Sequence, residues 1–262
     1  MKTRIAIPTD SIFSKFSGKK DEISQKFDLT VFELDENKCF ELYLSNKVDT
    51  VLTSPLTYGL HIGKLDSVII PVSAVSLMGY SEIASLIFKK ELKTFSSTAA
   101  NDTGSYLFNI TKILLAERYD MFPKVVQSGK TESELLNSAD AGFILGITKE
   151  GFNSLDIGEE WFDTFEMPLP IAFWVCRSEE HPENIEEIIK EWYESIGTKN
   201  IQIFEKLPKD SDLLNRQGSI SFEFNEEFEE ALAQTFHFLF YHQLIPEIPE
   251  IKILGREEKE IL

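Results

Sequence analysis

The feature that most constrains this chain is the alternation, along its whole length, of short β-branched, apolar runs with segments whose apolar residues recur at helical spacing. Strands and helices that alternate in this way build neither a sandwich nor a bundle; they stack as helices on a sheet, an α/β architecture. Residues 4–8 and 27–34 read as the first strands. Residues 35–47 read as a helix that opens on a capping Asp35 and keeps Cys39, Leu42 and Tyr43 at helical spacing. Residues 48–54 form a buried strand ended by Ser54-Pro55, and 67–72 and 85–88 extend the same set. A second set follows. It has a strand over 93–97, a helix over 106–117 with Leu107, Ile110, Leu114 and Leu115 on its apolar side, a strand over 141–145 and a short helix over 159–165. The apolar run 171–176 leads back towards the first set. Pro182 opens a helix over 183–196 with Ile189 and Trp192 inward, and the last helix covers 226–242.

No internal repeat and no low-complexity linker interrupts this order, which fits two lobes joined by crossing strands near 89–93 and 174–178. Lobe one is then discontinuous, 1–90 plus 177–262, and lobe two is 91–176. A chain of 262 residues with 42% hydrophobic and 12% aromatic content has material for both cores.

Charge removes several function classes. The 26 basic and 44 acidic residues give a net charge of −18, and no Lys/Arg stripe is present. Such a surface repels nucleic acid and anionic lipid, and its plain meaning is solubility. Met1-Lys-Thr-Arg-Ile-Ala-Ile-Pro8 enters a strand directly, and no apolar stretch approaches the about 20 residues that span a bilayer. Cys39 and Cys176 stand far apart, as reduced buried thiols. These observations together lead us to expect a cytoplasmic protein. The four histidines, His61, His181, His237 and His242, form no metal-ligand set. A serine-hydrolase elbow, a phosphate-binding glycine loop and a dinucleotide fingerprint are also missing. No metal and no cofactor is expected, and the oligomeric state is not indicated.

In α/β proteins ligands lie at the carboxyl ends of strands and the amino ends of helices. Four loops qualify. Asn101, Asp102, Thr103, Gly104 and Ser105 open the strongest helix, where free N–H groups and hydroxyls suit a carboxylate; alternatively Asp102 or Thr103 is simply the cap. Ser54 ends a strand and is either a ligand contact or a Ser-Pro turn, with Tyr58 either walling the same pocket or packing. Asp10 and Ser11 follow the first strand. Asp10 is the one carboxylate nominated as general base or proton relay, the alternative being a helix cap. Gly79 and Ser81 form the fourth loop, where the glycine also serves a turn. Trp161 and Trp174 belong to the core.

Several segments together resemble the menaquinone-biosynthesis family that contains chorismate dehydratase and 1,4-dihydroxy-6-naphthoate synthase. They are Val48-Asp-Thr-Val-Leu-Thr-Ser54, then Asn101-Asp-Thr-Gly-Ser-Tyr106 with Lys112-Ile-Leu-Leu-Ala-Glu-Arg-Tyr119, and Leu155-Asp-Ile-Gly-Glu-Glu-Trp161 running on to Pro168-Leu-Pro-Ile-Ala-Phe-Trp-Val175. The segment Ile220-Ser-Phe with Glu226-Glu-Phe is similar to the family's closing helix. The resemblance implies a two-lobed, type II periplasmic-binding-protein-like fold with a ligand cleft between the lobes. It also implies a cofactor-independent enzyme of the futalosine route to menaquinone, with a small anionic carboxylate as ligand and Ser54 and the 101–105 loop as contacts. The chain departs from both branches. Pro8-Thr-Asp-Ser-Ile-Phe13 lacks the Asn-containing loop of the dehydratases and is nearer the Pro-Asn-Asp-Thr of the naphthoate synthases. Those synthases place a catalytic His after the 141–145 strand, where this chain has Gly146; the dehydratases have Gly-Asp there, matched by Gly146 and not by Ile147. The balance lies with a chorismate dehydratase-like hydro-lyase. A non-catalytic anion-binding protein of the same fold and a naphthoate synthase-like enzyme are the alternatives.

Overall fold

The computed structural model describes residues 2–89, 94–146, 152–205 and 215–256. The chain begins with β1 (Thr3–Pro8), α1 (Ser14–Ser17), α2 (Lys20–Phe27), β2 (Leu29–Leu34), α3 (Glu36–Leu44), β3 (Thr50–Thr53), α4 (Pro55–Leu60) and β4 (Ser67–Gly79). It continues through β5 (Ala84–Phe88), β6 (Ser97–Ala100), α5 (Tyr106–Tyr119), β7 (Lys124–Gln127), α6 (Glu132–Ser138), β8 (Ala141–Leu145), β9 (Asn153–Asp156) and α7 (Ile157–Phe165). It closes with β10 (Leu169–Arg177), α8 (Ile185–Ser195), β11 (Asn200–Phe204), β12 (Gln217–Glu223) and α9 (Glu226–Tyr241).

Two compact units result. One comprises Met1–Ser76, Pro170–Asn200 and Ser221–Leu262; the other comprises Leu77–Leu169 and Ile201–Ile220. The sequence places the crossings at 89–93 and 174–178, and residues 90–93 lie outside the described ones. The structure instead changes unit at 76/77 and 169/170, and twice more at 200/201 and 220/221. The first passage falls inside the unbroken strand β4, where no turn residue marks it; the second falls at the first residues of β10, between Pro168 and Pro170.

In the first unit β1 lies between β2 and β3 and is parallel to both, with Pro8 level with Leu34 and Ala6 with Val51. Strand β10 runs antiparallel to β3, Phe173 opposite Thr53. All nine residues of β10 are buried, as its continuous apolar run requires of a strand covered on both faces. Phe16 meets Trp174 and Trp192 edge-on with centroids 5.6 and 6.4 Å away, and the Trp192 indole N–H donates to the Phe16 carbonyl at 2.9 Å. The strand expected from residue 27 begins at Leu29. Phe27 instead closes α2, and Asp28 adopts the left-handed conformation (φ 50°) that terminates a helix.

In the second unit the strand order is β7-β6-β8-β5-β9. Strand β6 is parallel to β7 and β8, and β5 is antiparallel to β8 and β9. The strand expected at 93–97 stands at Ser97–Ala100, because the Ser96 and Ser97 amides and hydroxyls are all spent on Asp140 just before it. Helix α5 buries Phe108, Ile110, Ile113, Leu114 and Leu115, while Leu107 is only half-buried.

The Leu155–Trp161 motif is a lock holding α7 in this unit. Asp156, 2% exposed, caps α7 by accepting the Glu159 amide at 3.1 Å; it also accepts the Ser81 and Glu82 amides (3.1 and 2.9 Å) and the Ser81 hydroxyl (3.0 Å). Burial pushes its carboxyl above the usual Asp range, although these donors oppose the rise. Gly158 is a residue of necessity: a methyl there would stand 2.7 Å from the Gly79 carbonyl oxygen and 2.9 Å from Ser81 Cβ. Glu159 accepts Arg216 Nε at 2.7 Å, and the Arg216 guanidinium lies over the Tyr80 ring, 4.4 Å from its centroid. Glu160 accepts the Tyr119 hydroxyl and pairs with Arg118 at 3.2 Å, and Trp161 is fully buried.

Two outcomes follow for this lock. Gly158→Ala is expected to cost about 1–3 kcal/mol in a urea unfolding series, since backbone rather than a flexible side chain blocks the methyl. Folded Asp156 keeps its proton at a pH where the unfolded chain has released it, so the group's contribution falls as pH rises from the ordinary Asp value through the raised one. Asn also caps helices well. The stability of the wild type relative to Asp156→Asn should therefore decline with rising pH above about 4, read from denaturant midpoints.

Candidate active site

The carboxyl ends of the parallel strands define one edge in each unit. In the first unit, Pro8 and Leu34 end β1 and β2 in register, and the Thr9 amide closes the pair by donating to the Leu34 carbonyl at 2.9 Å. The next residues of the first segment are Asp10 and Ser11, both exposed. Asp10 has extended backbone (φ −61°, ψ 144°) before a one-turn 3-10 helix, Ser11–Phe13, and its side chain makes no capping hydrogen bond there. Ser54 follows β3 and is 4% exposed; its hydroxyl caps α4 by accepting the Thr57 amide at 3.3 Å. Its own amide donates to Glu36 Oε1 at 2.7 Å. Tyr58, 5% exposed, packs on Phe173 and Phe236, and burial pushes its hydroxyl up to about 12. Asp10 and Ser11 thus present their side chains to solvent at this edge, whereas Ser54 and Tyr58 are packed behind it.

In the second unit, Ala99 is level with Gly142, and Ser85 with both Ile144 and Asp156. The register puts the 101–105 loop, Gly146 and the start of α7 at one edge. Asn101, Asp102 and Gly104 are exposed, with Thr103 and Ser105 half-buried. The cap of α5 is Ser105, so the alternative in which Asp102 or Thr103 is the cap does not hold. Asp102 Oδ1 instead accepts the Gly104 amide at 2.9 Å, and Ser105 Oγ donates to the Asp102 carbonyl at 3.1 Å. The Ser105 side chain makes no capping hydrogen bond, so it does not meet the hydrogen-bond demand of the first turn of α5. Asn109 braces the loop, its amide donating to the Gly104 and Ser105 carbonyls at 3.2 and 2.9 Å. Gly146 has φ 96°, a conformation that strains any residue with a side chain, and its amide donates to the Ile83 carbonyl at 2.8 Å. Gly79 (φ 72°) and the buried Ser81 belong to the lock around Asp156; the Ser81 hydroxyl is spent on that carboxylate.

Sequence reasoning passed over Asp156 and Glu36. Asp156 carried a signal, an Asp three residues before a Glu at the head of a helix, the spacing of a capping box. Glu36 carried none, because its partner, Ser54, lies at the head of another helix, α4. Among the described residues no group of His, Cys, Asp or Glu is arranged to hold a metal ion. His61 closes α4 with Nδ1 2.8 Å from the Thr57 carbonyl oxygen, His181 follows β10, and His237 and His242 lie on and just after α9. A cavity of about 580 Å3 lies elsewhere, at the amino end of β1, lined by Arg4, Asp49 and His181 among others. No described helix is long and apolar enough to cross a membrane.

Protein AF1704 from Archaeoglobus fulgidus has a similar structure, with a TM-score of 0.63 at 15% identity over 93% of this chain and 98% of that one. The periplasmic aliphatic sulphonate binding protein SsuA from Escherichia coli gives a TM-score of 0.62 at 13% identity, over 100% and 96%. An ABC transporter structure from Parabacteroides distasonis gives 0.64 at 11%, over 98% and 99%. The fold is that of the periplasmic-binding-protein-like structures. No curated protein matches. A family model described as menaquinone biosynthesis matches residues 9–209, and this span exceeds half of the chain. The chain belongs to the menaquinone-biosynthesis family.

Proposed function

We propose that the protein is a chorismate dehydratase-like hydro-lyase of the cytoplasm, working without a cofactor. The reaction removes a proton from ring carbon 3 of chorismate and breaks the bond from carbon 4 to its hydroxyl. The hydroxyl takes up a proton and leaves as water, and the ring becomes a 3-(1-carboxyvinyloxy)benzoate. Aromatisation supplies much of the driving force, so one positioned base and firm carboxylate binding suffice. Asp10 is the proton acceptor, exposed at the end of β1 with Ser11 beside it. In the second unit, the 101–105 loop offers a carboxylate the amides of the first turn of α5 and the hydroxyl of Thr103, with the helix dipole assisting. Such local donors matter in a chain of net charge −18, whose overall field repels a dianion.

The observation that carries this reading over a naphthoate synthase-like enzyme is Gly146. The resembling naphthoate synthases have a catalytic His after the equivalent strand, and at φ 96° this position favours glycine over any such side chain. The likeness to SsuA, a protein named for sulphonate binding, favours a second reading in which the chain binds a small anion without transforming it.

Incubation of the purified protein with chorismate, followed by chromatography, separates the two. Turnover to the aromatic product is expected; thermal stabilisation by chorismate that stays intact would favour the binding reading. Asp10→Asn should lower kcat by about 100-fold or more. Thr103→Val should raise KM by about tenfold with kcat little changed, since the lost hydrogen bond serves substrate and transition state alike.

A further inference from the structure

Glu36 is the first residue of α3, and the helix is capped by the residue before it. Asp35 already caps α3, its carboxylate accepting the Lys38 amide at 3.1 Å and pairing with the Lys38 ammonium at 2.8 Å. The Glu36 carboxylate turns away and accepts the Ser54 amide at 2.7 Å, with the Thr53 hydroxyl at 3.4 Å. Glu36 stands two residues beyond Leu34, the end of β2, and Ser54 stands just beyond the end of β3. Between those strands lies β1, whose chain leaves the sheet through Thr9 and Asp10. Two strands flanking a third are about 9–10 Å apart. The Glu36–Ser54 bond therefore spans the end of β1, at the level where Asp10 emerges. The Cys39 thiol is buried beside the end of β2, donating to the Leu34 carbonyl at 3.6 Å. Burial pushes it up to about 12, and the charges of Asp35, Glu36 and Asp10 all add to the rise.

We propose that Glu36 is a further positioning residue for the elimination, tying the end of β3 to the end of β2 and setting a second carboxylate charge beside Asp10. This rests on the reading of Asp10 as the proton acceptor. The neighbouring negative charge strengthens Asp10 as a base, and Lys38, the nearest cation in sequence, is engaged by Asp35.

The test compares wild type, Glu36→Gln and Glu36→Asp with chorismate as substrate. Glu36→Gln keeps an oxygen for the Ser54 amide and loses the charge. It should lower kcat by about tenfold, leave KM within about twofold and melt within a few degrees of the wild type. Glu36→Asp, which keeps the charge, should recover a clear part of that loss. An active wild type with a Glu36→Gln variant of equal kcat overturns the role of Glu36 alone, as does a Glu36→Asp variant no better than the Gln variant. A wild type that leaves chorismate intact overturns the elimination reading and the role of Glu36 within it.

Discussion

The parallel registration of β1 between β2 and β3 is the constraint on which the candidate chemistry depends. Because Pro8 and Leu34 end their strands level with one another, the segments that follow leave the sheet at a common edge. Asp10 and Ser11 emerge from the middle strand, α3 opens on one side and α4 on the other. A one-residue slip of β1 would exchange its side chains between two packed faces and displace Asp10 from this edge. Ile5, Ala6 and Ile7 are all fully buried, and they hold the register against such a slip.

The second unit solves a different problem. Its edge is fixed by a buried carboxylate with several donors, Asp156, which joins the turn after β4 to the head of α7. A lone carboxylate buried in this way would be costly; here each donor offsets part of the desolvation, and the remaining cost is visible as a raised carboxyl. The segment Gly158-Glu-Glu-Trp161 thereby has a structural explanation: Gly158 allows the close approach to Gly79, Glu159 and Glu160 hold Arg216, Tyr119 and Arg118, and Trp161 is buried. The residues that meet solvent lie instead in the plainer 101–105 loop.

Much of this was legible in the sequence. The 141–145 strand and the helix starting at residue 106 stood where apolar spacing put them, as did the inward Ile189 and Trp192. The α2 helix was not, since Lys20–Phe27 carries one buried residue, Ile23, and little periodicity. Strand β7 is short and largely exposed, and β9 is short and mostly polar, so neither gave an apolar run to read. At the candidate site, Asp10 could be nominated because it follows a clear strand. The burial of Ser54, Tyr58 and Ser81 could not be foreseen, because it is decided by partners far along the chain: Phe173 and Phe236 for Tyr58, Asp156 for Ser81. Glu36 escaped notice for the same reason. Its contact joins the heads of two helices, α3 and α4.

The most direct measurement of the central claim uses chorismate carrying deuterium at ring carbon 3. Elimination with a carboxylate as proton acceptor predicts an aromatic product free of the label, together with a slower reaction than for the unlabelled substrate. A product that keeps the deuterium, or labelled chorismate recovered unchanged, would contradict it.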